Sequence, residues 1–345
     1  MSLTNNSKTV FLASPGYTLK SRRAQFMLAR KGERPIRLPA LLVRQFVVAP
    51  EVEVTCEAMR DAMESEIPMT FLDHTGRVLG HVQGARRHDA QPRLLQYRLY
   101  DDPARKLGVA RKLVLAKLHN SLAVLLRHRK NHPEFACRDA VETIRQAAAG
   151  AAAAADLDQL RGCEGGAARA YFDVFGGMIR KNFSFAGRTR NPPLDPVNAM
   201  LSFGYTLISR EIGSVLEALG LDPYVGLLHE LKPGRPSLAL DLVEPLRAAV
   251  VDRFVLSLIN LGQVTPEHFD TVPAPNPAVY LNREGRRIFF LELEHWMERC
   301  QDEAETGEPW WCPRSYATAE VEASRRALVN GALDQWELQR LPLPE

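Results

Sequence analysis

From the start of the chain to Val82, apolar positions fall into short runs rich in β-branched and aromatic side chains, separated by turn sequences such as Ser14-Pro15-Gly16. This punctuation is typical of β-strands. The runs occupy residues 9–13, 25–29, 41–48, 69–72 and 78–82. Residues 55–64 differ, because Cys56, Met59 and Met63 recur there at helical spacing. The pattern predicts a small β domain with one inserted helix.

The pattern changes across residues 84–103, which contain glycine, prolines and several charges. Beyond them apolar positions repeat with helical period, first over residues 105–127. Asp195 is the predicted N-cap of a helix that ends at Gly220. Further helices are predicted from near Ser237, over 288–299 and over 317–339. The predicted fold class is α+β, with a small N-terminal β domain (1–90), a linker (91–103) and a larger all-α C-terminal domain (104–345).

Composition adds little to this picture. The 345 residues are 46% apolar and 25% charged, as in a soluble globular protein of about two domains. The sequence shows neither a signal peptide nor about 18 consecutive apolar residues, so we expect a cytoplasmic protein without a membrane anchor. Five scattered cysteines, none in a C-x-x-C pair, predict reduced thiols. They are Cys56, Cys137, Cys163, Cys300 and Cys312.

The net charge of +3 argues against a polycation, but the charge is unevenly distributed. Residues 101–130 hold eight basic and two acidic side chains, and residues 161–190 hold six and two. These local charges of +6 and +4 leave −7 for the rest of the chain. A locally basic protein can bind a polyanion without being basic overall. Charge alone leaves open whether the two windows bind nucleic acid or form solvated helix faces.

Several catalytic signatures are absent from the sequence. It contains neither a G-x-x-x-x-G-K-[ST] phosphate loop nor a G-x-G-x-x-G after a strand. His229-Glu230 begins like a zinc-protease motif, but Pro233 occupies the position of the second histidine. These absences argue against a P-loop nucleotidase, a dinucleotide-binding enzyme and a zinc protease.

A histidine and three acidic residues are the remaining candidates for chemistry. Asp241 and Glu244 share one face of a largely apolar helix that follows His229 and a Gly/Pro-rich turn. Two adjacent buried carboxylates repel each other and are therefore costly to ionise. A bound divalent cation would offset that free-energy cost. Pro245 is expected to kink the helix beside them, and Glu164 lies among small residues that allow close approach. The alternative is a structural histidine with capping or ion-paired acids.

Several ordered motifs resemble one family. The C-terminal two thirds of the chain resembles the CRISPR-associated endonuclease and integrase Cas1, which inserts new spacers into CRISPR arrays. The matching segments are Arg161-Gly162-Cys163-Glu164-Gly165 with Ala168 and Tyr171-Phe172, residues 185–193, 195–205 and 220–224, and residues 226–245 with Arg247. Lys117-Leu118-His119-Asn120 resembles the family's basic K-x-x-N helix. The N-terminal part matches more loosely, mainly by its strand pattern and residues 67–72.

The resemblance implies a metal-dependent DNA endonuclease and integrase. Its metal ligands would be Glu164, His229 and Glu244, holding Mg²⁺ or Mn²⁺, and Asp241 would be a further acid of the catalytic site. The enzyme would join the 3′-hydroxyl ends of a prespacer to the CRISPR repeat by transesterification. The resemblance also implies a homodimer formed through the β domain and assembly with the small Cas2 protein. DNA-binding residues would be Arg105, Lys106, Arg111, Lys112, Lys117, Arg188, Arg190 and Arg235.

Two alternative functions remain open on the sequence. One is a non-catalytic DNA-binding or scaffold protein that keeps the fold without the activity. The other is an unrelated helical enzyme with Cys163 as nucleophile beside Glu164, for which no positioned histidine can be identified.

Overall fold

The computed structural model describes residues 8–22, 25–73, 78–84, 90–299 and 312–344, so Cys300 lies outside the described residues. The chain forms two compact units. The first comprises Met1–Arg87, Glu267–Asp270 and Tyr280–His295, and the second comprises His88–Pro266, Thr271–Val279 and Trp296–Glu345. The predicted order, a strand-rich part followed by a mostly helical part, is confirmed.

Two four-stranded sheets and one helix form most of the first unit. The strands are β1 (Lys8–Leu12), β2 (Thr18–Arg22), β3 (Gln25–Ala29), β4 (Ile36–Pro39), β5 (Val43–Val48), β6 (Glu53–Val54), β7 (Met69–Leu72) and β8 (Val78–Val82), and α1 (Cys56–Glu64) follows β6. The sheets have the strand orders β1-β5-β7-β8 and β4-β3-β2-β6. Phe26 and Phe46, one from each sheet, are fully buried with ring centroids 5.0 Å apart. The core therefore joins the two sheets.

The first unit also takes in a distant part of the chain, which the predicted boundary does not include. Residues 280–295 belong to this unit, and the ring of Phe290 stacks on Phe11 with centroids 3.7 Å apart. The predicted boundaries of a helical domain running unbroken from 104 to 345 are therefore corrected. Periodicity along the chain is a local signal, so it cannot reveal a contact between residues as distant in sequence as these two phenylalanines.

The second unit is largely helical. Its helices are α2 (Gln91–Tyr100), α3 (Pro103–Asn131), α4 (Arg138–Ala153), α5 (Leu157–Phe175), α6 (Pro196–Ala218), α7 (Ser237–Val243) and α8 (Arg253–Asn260). The remaining described elements are strands β9 (Phe269–Val272) and β10 (Ala278–Leu281) and helices α9 (Arg283–Glu298) and α10 (Pro313–Val329). None of the helices in the described residues is long and apolar enough to cross a membrane.

The segment predicted as a linker over 91–103 is mostly the helix α2. It is held in the second unit by Gln96, which is buried and whose Nε2 donates to the carbonyl oxygens of Asp222 and Val225 at 2.8 and 2.9 Å. Prolines and charges at both ends suggested a linker. They instead mark the ends of a short helix with Pro92 in its first turn.

A predicted N-cap and the expected distortion of the helix at Pro245 are confirmed, and both bear on the site. The Asp195 carboxylate accepts from the backbone nitrogen of Asn198 at 2.8 Å, so Asp195 is the N-cap of α6. Helix α7 ends at Val243, just before Pro245, and the chain continues as a π-helix over Arg247–Asp252. Proline lacks the N–H that would continue the α-helical ladder, so the helix changes its winding beside the acids.

Candidate active site

Several elements of the second unit meet around one cavity of about 250 Å³. Lys117 reaches it from α3, Glu164 from α5, and His229 from the loop before α7. Glu244 and Arg247 reach it from the chain that follows α7. The fold therefore brings together the three predicted metal ligands, of which Glu164 is distant in sequence from His229 and Glu244.

Asp241, the fourth predicted catalytic residue, is fully buried beneath the histidine loop. Its Oδ2 accepts from the backbone nitrogens of Leu227 and Leu228, the latter at 2.9 Å. Its Oδ1 accepts from the backbone nitrogen of His229 at 2.9 Å and lies 2.6 Å from His229 Nδ1. Both carboxylate oxygens are thus engaged by the loop, an arrangement that suits a residue orienting His229 rather than a metal ligand.

Gly226 allows this loop to lie against α7. A Cβ atom at residue 226 would stand 2.7 Å from the Cβ of Ser237 and 2.8 Å from Oδ2 of Asp241. The hydroxyl of Ser237 donates to the carbonyl oxygen of Glu230 at 2.9 Å, on the other side of the histidine. The loop is therefore fixed on both sides of His229.

Glu244 is buried and surrounded by basic groups. Arg247 Nη2 lies 3.0 Å from its Oε1, Lys117 Nζ lies 2.6 Å from its Oε2, and His229 Nε2 lies 3.8 Å from its Oε1. Burial alone would raise the pKa of Glu244, but Arg247, Lys117 and His229 lower it to about 2. The carboxylate is therefore ionised in the cavity.

Lys117 bridges two carboxylates. Its ammonium group makes an ion pair with Glu164 as well as with Glu244, and its side chain is 12% exposed. Within the described residues, no three His, Cys, Asp or Glu side chains are grouped as a metal site. The ammonium is the shared counter-charge of the two predicted acidic ligands.

The chemistry of these donors fits a divalent cation. Glu164 and Glu244 already converge on one positive charge, and hard cations such as Mg²⁺ and Mn²⁺ prefer carboxylate oxygens. Because the Nδ1 of His229 meets Asp241, its Nε2 is left facing the Glu244 carboxylate, as in carboxylate–histidine–metal arrangements. Occupation by a metal requires Lys117 to release the two acids.

Arginines line the same cavity. Arg161 donates through Nε and Nη2 to the carbonyl oxygen of Leu228, at 3.1 and 2.8 Å, next to His229. Arg188 donates to Oδ1 of Asn198 at 2.7 Å, while Arg190 is exposed. The guanidinium groups of Arg161 and Arg188, held by these hydrogen bonds near the Glu244 carboxylate, are suited to holding a phosphodiester close to the acids.

Tyr205 and Asp252 lie in the wall of the cavity and were not identified from the sequence. The hydroxyl of Tyr205 donates to Asp252 Oδ1, and the guanidinium carbons of Arg247 and Arg188 lie 4.4 and 5.4 Å from its ring centroid. Burial raises the pKa of Asp252 to about 6, although the Tyr205 hydrogen bond and both arginines oppose that rise. A single carboxylate, next to Arg253, in the otherwise apolar segment Ala248 to Leu256 is the sequence signal for this network.

Three of the eight predicted DNA-binding residues, Lys117, Arg188 and Arg190, line the cavity. Arg235 lies beside the histidine loop, where it donates to the carbonyl oxygen of Glu230. For these four residues the structure is compatible with a role near bound DNA.

The other four predicted DNA-binding residues belong to the first three turns of α3 and do not line the cavity. Arg111 donates to the carbonyl oxygen of Ala154 at 2.8 Å, and Lys112 donates to those of Asp334 and Trp336 at 2.6 and 2.7 Å. Lys106 lies over the ring of Tyr100, and Arg105 is exposed. Arg111 and Lys112 thus stabilise the fold, which their basic character alone did not indicate.

Cys163 does not line the cavity. It faces α4, because a Cβ atom at Gly150 would stand 3.0 Å from its sulfur. This placement argues against Cys163 as a nucleophile acting with Glu164.

An imidazole, two carboxylates and several arginines around one cavity define a site for phosphodiester chemistry. The family model of CRISPR associated protein Cas1 matches residues 10–295, and the chain belongs to this family. The CRISPR-associated endonuclease Cas1 2 of Rhodospirillum rubrum is 38% identical over 306 residues, covering 86% of this chain and 87% of that protein. A Cas1 protein from Thermotoga maritima has a similar structure, with a TM-score of 0.78, 26% identity, and coverage of 98% and 100% of the two chains.

Two further solved structures share the fold at lower sequence identity. A casposase bound to integration product has a TM-score of 0.80 and 23% identity, covering 97% of this chain and 96% of its own. A chain of a Cas6-RT-Cas1–Cas2 complex has a TM-score of 0.79 and 22% identity, covering 99% of this chain and 37% of its own. These similarities support the α+β fold class.

Proposed function

We propose that this protein is a metal-dependent DNA endonuclease and integrase of CRISPR adaptation. The observation that carries the proposal is the convergence of Glu164 and Glu244 on one positive charge, with Nε2 of His229 3.8 Å from Glu244 Oε1. The endonuclease name of the Rhodospirillum rubrum relative and the integration product bound to the casposase support the same chemistry.

Glu164, His229 and Glu244 would hold Mg²⁺ or Mn²⁺. When bound, the cation polarises the target phosphate and lowers the pKa of the attacking hydroxyl. Asp241 keeps the proton on His229 Nδ1 and so leaves Nε2 as the ligand atom. Arg161, Arg188 and Arg190 hold non-bridging phosphate oxygens beside the acids.

The reaction is an exchange of one phosphodiester for another. The 3′-hydroxyl of a prespacer strand forms a bond to phosphorus in the CRISPR repeat, and the bond from that phosphorus to the 3′-oxygen of the repeat breaks. The attacking hydroxyl loses its proton and the leaving oxygen gains one. Because the bond formed and the bond broken are both phosphodiester bonds, the step needs no energy source. Water in place of the hydroxyl gives cleavage by the same site.

The proposed partners follow from this reaction and from the family. They are prespacer DNA, the CRISPR repeat, a second copy of this chain bound through the strand-rich unit, and Cas2. The occurrence of Cas1 with Cas2 in the complex of similar fold supports the last of these.

The experiment is an integration assay with purified protein, Cas2, a supercoiled plasmid carrying the CRISPR array, and a short duplex with free 3′ ends. We expect joined products in Mn²⁺ or Mg²⁺ and none in chelator. Glu164→Gln and His229→Ala should each abolish joining. Asp173→Asn is the matched control, since Asp173 is exposed on α5, nine residues from Glu164 and so on the opposite side of the helix.

Three outcomes would contradict the proposal. Joining that persists in chelator would show that no divalent metal is needed. Activity retained by both Glu164→Gln and His229→Ala would move the chemistry elsewhere. A folded protein that binds DNA but neither joins nor cleaves it would favour the non-catalytic scaffold.

A further inference from the structure

A second cavity, of about 420 Å³, lies nearer the carboxyl end of α3. Val124, His128 and Asn131 line it from that helix. With Lys117 and Ser121 of the active-site cavity, they are spaced by four, three, four and three residues, so all five lie on one helix face. One face of α3 therefore borders both cavities.

A second helical segment also borders both cavities. Ala248 and Asp252, in the π-helical turn before α8, line the active-site cavity, and Leu256 and Asn260, in α8, line the second. Ten residues of helix separate Lys117 from Arg127, a distance of about 15 Å. The second cavity is thus a separate pocket that lies further along the same two helical segments.

The charged lining of this cavity is basic. Among the described residues that form it there is no Asp or Glu, and its cationic or titratable side chains are Arg127, Arg180, Arg253, His128 and His132. Burial, with Arg127 and Arg299 close by, lowers the pKa of Arg253 to about 10. Glu134 is near the rim, 3.7 Å from Nδ1 of His132. A cavity with a basic lining attracts an anion.

The rest of the lining suits an aromatic ring. Trp296, Met178 and Leu261 supply apolar surface, and Nε1 of Trp296 is buried without a hydrogen-bond partner. The guanidinium carbon of Arg253 lies 5.7 Å from the centroid of the Trp296 ring. Ser257 adds a hydroxyl that can donate or accept a hydrogen bond. An apolar wall with a few polar groups and adjacent cations matches a base attached to a phosphate.

Basic residues at the carboxyl end of a helix also interact favourably with the negative end of the helix dipole. That effect accounts for Arg129 and Lys130, which are exposed in the last turn of α3 and do not line the cavity. It does not account for Arg253, in the first turn of α8, or for Arg180, which lies outside any helix. The helix dipole therefore does not explain the basic lining of the cavity.

We propose that this cavity is a nucleotide-binding subsite, separate from the active site, that takes the base and phosphate of one nucleotide. The nucleotide is either free or part of an unpaired DNA strand. Binding of an unpaired DNA strand rests on the proposed function, whereas binding of a free nucleotide does not.

The test measures binding of 5′-dAMP and of a fluorescent six-nucleotide single strand, in chelator so that no cleavage occurs. Arg127→Gln/Arg180→Gln removes two cationic groups from the cavity. Arg129→Gln/Lys130→Gln removes the same charge from exposed positions. We expect at least a tenfold loss of affinity for the first pair and less than twofold for the second. A strand carrying 5-iododeoxyuridine should cross-link to Trp296, and Trp296→Leu, which removes the aromatic ring, should abolish that cross-link.

Each outcome decides the proposal. Equal losses of affinity in both pairs of variants would show general electrostatic attraction and would overturn the proposal. Failure of the unsubstituted protein to bind either probe would also overturn it. Binding of dAMP at an affinity close to that of the strand identifies free nucleotide as a ligand, and binding of the strand alone identifies a strand subsite. The measurements are repeated in His229→Ala protein, so a failed integration assay would leave this result unaffected.

Discussion

The Nδ1 atom of His229 lies 2.6 Å from Oδ1 of Asp241, which also accepts from the backbone nitrogen of the same histidine. One carboxylate oxygen thus fixes both the position of residue 229 and the tautomer of its ring. The sequence predicts Asp241 as a member of the catalytic set, and the structure favours a positioning role for it. The two roles predict different results on substitution.

The first prediction concerns Asp241→Asn. An amide has only one acceptor oxygen for the three backbone N–H groups and the imidazole that face Asp241, so buried donors lose partners. We expect the free energy of unfolding to fall by about 3 kcal/mol, measured by urea denaturation, and integration to slow by about 100-fold. His229→Ala should abolish integration with a much smaller loss of stability. If Asp241→Asn leaves stability intact and weakens only Mn²⁺ binding, Asp241 is a metal ligand instead.

Lys117 provides the second prediction, because its ammonium holds the carboxylates that the metal requires. Lys117→Met should lower the melting temperature in chelator, since Glu164 and Glu244 then face each other without this counter-charge. Mn²⁺ should raise the melting temperature of Lys117→Met protein more than that of the unsubstituted protein, because the metal no longer competes with an ammonium. Lys130→Met, at an exposed position of the same helix, is the control. An equal Mn²⁺ effect in all three proteins would contradict this competition.

The sequence predicts the three metal ligands but not the pairing of Lys117 with two of them. Glu164, His229 and Glu244 belong to motifs whose order along the chain is informative. Lys117 belongs to a basic helix, where a cation that binds DNA looks the same as one that pairs with two acids.

Likewise, period and capping residues predicted α6, but strands β2 and β4 were missed. In β2, only Leu19 and Ser21 are buried, so it has no apolar run to detect.

The third prediction compares two glycines near the site. Gly226→Ala places a Cβ atom 2.8 Å from Oδ2 of Asp241 and against the backbone of Ser237, so the histidine loop must move. We expect a loss of about 2 kcal/mol in the free energy of unfolding and loss of integration. Gly165→Ala, within α5, meets nothing within 4 Å and should stabilise the protein by about 0.5 to 1 kcal/mol. A reversed order of the two variants in thermal unfolding would show that Gly226 does not set the approach of the loop to α7.

The fourth prediction concerns the pH dependence of stability and lies away from the site. Burial raises the pKa of Glu320, on α10, to about 7, although its Oε1 accepts from the backbone nitrogen of Gln339 at 2.9 Å. Its Oε2 is buried without a hydrogen-bond partner, and the ionised carboxylate would raise the pKa of nearby Tyr316. Between the ordinary value of 4.5 and about 7, the folded state retains a proton that the unfolded state has lost. The stabilisation from this group is therefore fully present below pH 4.5 and disappears as the pH rises through 7.

Glu320→Gln keeps an acceptor for Gln339 and removes the titration. We expect it to raise the free energy of unfolding at pH 8 by up to about 3 kcal/mol and to have little effect at pH 4.5. Urea unfolding from pH 4.5 to 8 measures this as the difference between variant and unsubstituted protein, so that histidines titrating in the same range cancel. Glu322→Gln, two residues along the same helix with a side chain 49% exposed, is the control and should leave the profile unchanged. A pH-independent difference between Glu320→Gln and the unsubstituted protein would mean that folding does not raise the pKa of Glu320.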